Sequence, residues 1–166
     1  MNAVAHRSIW DRMRGAAMLD TATYEEVEHD GSATGQAALV VAMTAAAQAI
    51  GAWNGGPTAL VGAALGALVG WGVWAGVTYL IGDKLFGGTA TWGELLRTLG
   101  FAQSPNVLAV LGILPLVGWL VDAVLFFWIL VAGVVAIRQA LDFGTGRAIL
   151  TAVVGALVLG IFQVVF

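Results

Sequence analysis

The chain has 166 residues, of which 60% are hydrophobic and only 10% are charged, and its formal net charge is −3. A soluble domain carries charge on about a quarter of its residues, so this composition excludes a soluble globule and indicates an integral membrane protein. The lack of cysteine excludes disulfides, thiolate metal sites and iron–sulfur clusters, and with His6 and His29 both outside the apolar runs a bis-histidine haem is not expected, nor any other cofactor.

Residues 1–35 lack the short apolar core of a cleavable signal peptide and are expected to stay in the mature chain. They set Arg7, Arg12 and Arg14 against Asp11, Asp20, Glu25, Glu26, Glu28 and Asp30, so the whole negative excess lies here. That bias, with no basic patch interleaved by aromatics, argues against nucleic acid as a partner. Ile9, Trp10, Met13 and Ala17 recur on one helical face. The pattern fits a helix lying in the membrane surface or one packed on the protein's own cytoplasmic face.

"TYEE" places Thr23 at an N-cap with Glu26 three residues on, the capping-box spacing, and predicts a helix from Tyr24 to His29 that stops before Gly31. Glu25, Glu26 and Glu28 fall in its first turns, where the helix dipole favours negative charge. Their residual repulsion calls for cations, and Arg138 and Arg147 are the expected partners. The alternatives are an exposed acidic docking surface and a metal site of Glu25, Glu28 and His29.

Residues 36–53 form the first apolar span and 58–82 the second, after an "NGGP" turn at Asn54–Pro57. In the second, Gly62, Gly66 and Gly70 fall every fourth residue, joined by Gly72 and Gly76. Small residues at that spacing let a neighbouring helix approach closely, here expected within the chain rather than from a second copy. Residues 99–138 are too long for one crossing and are interrupted by Pro105, Pro115 and Gly118. Two crossings, 99–115 and 119–138 with a turn around Pro115–Trp119, put all seven basic residues on one side, as the positive-inside rule requires. The last span is 148–166, where Ala152, Ala156 and Gly160 repeat the small-residue spacing.

The expected architecture is therefore all-α and polytopic. A cytoplasmic segment (1–35) precedes a five-helix membrane domain (36–166), with the N-terminus inside and the C-terminus outside. Trp71, Trp74, Trp92, Trp119 and Trp128 fit interfacial belts or helix contacts, and Gln48 and Gln163 fit bonds between helices. Asp122 is the one ionisable candidate within a span and reads as interfacial. No nucleophile–base pair or phosphate loop is present, so an enzyme is not expected.

Three blocks in order, "RMRGAAMLDTATYEEVEHDGSATGQAALVV", "TWGELLRTLGFAQSPNVLAVLGILP" and "WILVAGVVAIRQALDFGTGRAI", resemble bacterial members of the Yip family of Rab-interacting membrane proteins. The resemblance runs from about Arg12 to Gly155. It implies five membrane helices, a cytosolic N-terminus and a bacterial inner-membrane location. The Asp-Leu-x-Gly-Pro and Gly-Tyr motifs of the eukaryotic relatives are missing, so their Rab-dependent trafficking role is not carried over. The expectation is a non-catalytic scaffold or adaptor organised around Glu25–Glu28 and the Arg138–Arg147 link, with lipids, other membrane proteins or a second copy as partners. Alternatives are an accessory subunit of a respiratory or photosynthetic complex, and a small-solute channel or carrier, suggested by the glycine-rich second span and the broken third helix.

Overall fold

The computed structural model of the chain describes residues 7–52, 57–114 and 116–165, with side chains through Val158. The described residues are helical almost throughout: α1 (Ile9–Ala17), α2 (Thr21–His29), α3 (Ala33–Gly51), α4 (Pro57–Tyr79), α5 (Trp92–Ala102), a 3-10 helix (Ser104–Ile113), α6 (Gly118–Ala140) and α7 (Thr145–Val165). Trp53 of the expected first span, Asn54, Gly55, Gly56 and Pro115 of the expected turns, and the surroundings of Gly160 and Gln163 lie outside what is described.

Among the described residues, three helices are long and apolar enough to cross a membrane: α3, α4 with its π-helical extension to Leu85, and α6. In α7 the apolar stretch Thr145–Val158 is shorter. The expected third span, 99–115, is not a single α-helix. Its first residues belong to α5, an amphipathic helix opened by a capping box in which Thr91 Oγ1 accepts from the Glu94 backbone and the Glu94 carboxylate accepts from the Thr91 N–H.

The break has a local cause. Pro105 has no N–H to offer the Phe101 carbonyl and cannot continue the α-helix. Ser104 Oγ donates to that carbonyl instead, at 2.6 Å. The chain then tightens into 10 residues of 3-10 helix, a run well beyond the usual three or four. This segment lies against α3 and runs parallel to it. Gly100 meets Ala37 near the start of α3, and Gly51 at its far end meets Ala109 and Gly112. A Cβ at Gly100 would sit 2.8 Å from that of Ala37, and one at Gly51 would collide with the Ala109 carbonyl oxygen. Both contacts require glycine.

α1 and α2 join the same core. Met13, Ala16, Tyr24 and Val27 pack with Leu95, Leu99, Phe101, Ala136, Ile137 and Ala140. Of the two readings of α1, the packed one fits its buried Arg12, Met13 and Ala16, while Trp10 stays 65% exposed. α1 ends in a left-handed residue, Leu19 (φ 61°), from which the Asp20 N–H returns to the Gly15 carbonyl at 2.9 Å.

Gly62, Gly66, Gly70 and Gly72 do not mediate helix packing within the described residues: a Cβ at any of them meets nothing within 4 Å. α4 turns its Ala63 and Ala67 with Trp71 and Trp74 toward α3, and the glycine face is left open. That corrects the expectation of intramolecular packing for these four; at Gly76 a Cβ would meet Trp92 Nε1 at 3.7 Å.

Candidate functional site: the polar end of the bundle

The start of α3, the end of α4, the start of α5 and the α6–α7 link meet at one end of the molecule, where α1 and α2 also lie. α2 begins three residues earlier than "TYEE" suggests. Asp20, not Thr23, is the N-cap: its carboxylate accepts from the Ala22 N–H and from the Thr23 hydroxyl. These bonds, led by the Thr23 hydroxyl, hold the Asp20 carboxyl below the usual aspartate range.

The acidic cluster finds its cations close by in sequence. Arg12, 1% exposed, donates to Glu26 Oε1 at 2.9 and 3.1 Å, to Asp30 Oδ2 at 2.6 Å and to Gln36 Oε1 at 3.0 Å. Arg7 approaches the other oxygen of Glu26 at 3.2 Å. Burial works against the charge on Arg12, but its bonds to Asp30 and Glu26 outweigh that and raise its pKa. Asp30 is pushed down to about 2 by the Ser32 hydroxyl and by Arg12.

Arg138 and Arg147, the expected partners, make no ion pair among the described residues. Arg138 Nε donates to Gln139 Oε1 at 3.1 Å, and Gln139 Nε2 donates to Glu25 Oε1 at 2.6 Å. An amide thus stands between the two charges. Arg147 rests over the Phe143 ring.

Arg97 is the second fastening and was not singled out by sequence reasoning. It lies in α5, 9% exposed, and its guanidinium donates to the backbone carbonyls of Val27 (2.9 Å) and Glu28. These carbonyls belong to the last turn of α2, where helical partners run out and the dipole is negative. The capping box at Thr91–Glu94, with Arg97 on the next turn of an amphipathic helix, was the available signal. Tryptophans close the remaining gaps: Trp128 Nε1 donates to the Ala17 carbonyl at 2.8 Å and Trp71 Nε1 to the Leu96 carbonyl at 2.9 Å.

Glu28 differs from its neighbours. It is 7% exposed, and its Oε2 and the Thr78 hydroxyl are the buried side-chain atoms left without a hydrogen bond among the described residues. Burial, reinforced by the charge of Glu25 and offset by His29, raises its pKa to about 7. Glu25, Glu28 and His29 bring potential ligand atoms within 4.8 Å of one another.

Away from this end, cavities lie between the helices. One of about 600 Å³ lies between α3 and α4, lined by Thr44, Gln48, Ala63, Trp71, Trp74 and Gln103. Another of about 470 Å³ is apolar and lies between Trp74 and α5, α6 and α7. Asp122 is exposed and shares a smaller cavity with Gln48 and Asn106.

A family model described as "Yip1 domain" matches residues 21–166 of this chain. No curated protein and no solved structure matches it.

Proposed function

Because the chain belongs to the Yip family, we propose that it is a non-catalytic scaffold or adaptor of the bacterial inner membrane, with α1 and α2 as its cytoplasmic platform. The observation that carries this reading is how these helices are held. Arg12 and Arg97 fasten them to the bundle from inside, while Glu25, His29, Trp10 and Met18 stay exposed on the outer side. A partner would meet a preformed polar surface and not a tail that must first be ordered.

The reading includes five crossings, with the N-terminus inside and the C-terminus outside. Support for the third comes from the geometry beside α3. Ten residues of 3-10 helix rise about 20 Å, close to the roughly 21 Å of α-helix from Ala37 to Gly51. The basic residues of the loops then gather on one side.

Gentle native extraction of tagged protein, followed by identification of what stays bound at fixed stoichiometry, tests the role. Partners retained by the wild type and lost with Glu25→Lys, with unchanged melting temperature in EDTA, are the expected result. Flux of a solute in proteoliposomes without any bound partner would overturn it. The open glycine face of α4 favours a second reading, a subunit packed on foreign helices or on a second copy. Its mark is a large membrane partner displaced by Gly66→Leu and indifferent to Glu25→Lys.

A further inference from the structure

Glu25, Glu28 and His29 share one face of α2 at positions i, i+3 and i+4, and one oxygen of each carboxylate and a ring nitrogen of the imidazole lie within 4.8 Å of one another. Carboxylates and histidines at such spacing are common on solvated helices and signify nothing by themselves. Here Glu28 is only 7% exposed, and its Oε2 has no hydrogen-bond partner among the described residues. A buried carboxylate oxygen in that state is costly unless a proton or a cation answers it.

The other two side chains are already oriented. His29 Nδ1 lies 2.9 Å from the Glu25 carbonyl oxygen. A carbonyl only accepts, so Nδ1 carries the proton and the neutral ring keeps its lone pair on Nε2. Glu25 Oε1 accepts from Gln139 Nε2 at 2.6 Å, which leaves its second oxygen available. Both arrangements, an imidazole N–H on a backbone carbonyl and a carboxylate held by a neighbour, are how proteins aim metal ligands.

The local field also favours a cation. Glu94 of α5 and Asp142 of the α6–α7 link add their negative charge around Glu28. Arg97 is committed to the Val27 and Glu28 carbonyls, and Arg138 reaches Glu25 only through Gln139. We propose that Glu25, Glu28 and His29 form a divalent-cation site at the C-terminal turn of α2. One imidazole with two carboxylates suits Zn²⁺ or Mn²⁺, whereas Mg²⁺ prefers an all-oxygen octahedron and holds its water. Through Gln139, the ion joins the end of α2 to the end of α6. This site does not depend on the scaffold reading.

Full-length protein in detergent micelles, stripped with EDTA, is titrated with Zn²⁺, Mn²⁺ and Mg²⁺ by calorimetry and melted with and without each ion. The wild type is expected to take one Zn²⁺ or Mn²⁺ per chain and to melt higher with it. Glu28→Gln and His29→Ala are expected to weaken binding by at least about tenfold and to lose the melting shift. Asp122→Asn, exposed near the start of α6 and away from this site, keeps both. Glu28→Gln also removes a buried charge, so without metal it melts no lower than the wild type, and its loss of binding is not a loss of fold. Failure of the wild type to bind Zn²⁺ or Mn²⁺ at fixed stoichiometry would overturn the proposal. Equal binding by Glu28→Gln and His29→Ala would do so as well.

Discussion

Arg12 reaches Glu26, Asp30 and Gln36 at once, so a single guanidinium joins α1 to α2 and to the first turns of α3. Arg12→Met keeps the volume and leaves two carboxylates without their buried partner. It is expected to cost about 3 kcal/mol in denaturant unfolding, and Arg12→Lys recovers little, because an ammonium cannot present the same planar fork. Asp20→Ala removes the α2 N-cap and is expected to cost about 1 kcal/mol. Since the folded Asp20 carboxyl lies below its ordinary 3.8, its contribution is present above that pH and is lost as the pH falls through the folded value. Acid melts of Asp20→Asn should therefore decline less steeply below about pH 4 than those of the wild type. The crowding of acids was legible in the sequence; their partners were not. Charge counting grouped Arg138 and Arg147 with the acids, but it does not rank distance. Arg12 lies 14 residues from Glu26, and closing so short a loop costs less entropy than reaching across the bundle.

At the scale of elements, α5 and the 3-10 helix after it divide what was read as one span. The polar "QSPN" was visible, and Pro105 marks the break. What hydropathy could not convey is that Ser104 would take over the Phe101 carbonyl and let the chain go on as a narrower helix. The glycines sort in the same way. Gly100→Val forces α5 away from Ala37 and is expected to cost about 1–3 kcal/mol, read from thermal melts in micelles. Gly66→Ala meets empty space and leaves stability unchanged, so any effect it has must appear in cross-linking or co-purification. Both glycines have apolar neighbours in sequence, and nothing local distinguishes them. The difference is which face of each helix the rest of the chain covers.

For the whole molecule, membership of the membrane class, the all-α fold and the meeting of the loop charges at one end were all readable from composition and the distribution of Lys and Arg. The docking of residues 7–35 into the common core was not, because it rests on side-chain bonds between distant segments. Topology is directly testable, since the chain has no cysteine of its own. In inverted and right-side-out vesicles, Ala22→Cys is expected to react only from the cytoplasmic face and Leu116→Cys only from the outer face. Trp128 bonds to Ala17 across 111 residues and Gln139 to Glu25 across 114. During synthesis at about 5–20 residues per second, α1 and α2 therefore wait roughly 5–20 s before the α6 part of the surface that receives them exists. Arg12 holds the acidic helix together over that interval. Until Gln139 arrives, the first helices made can dock on α5 through Arg97 but cannot complete their closure on the bundle, and they become the last to settle.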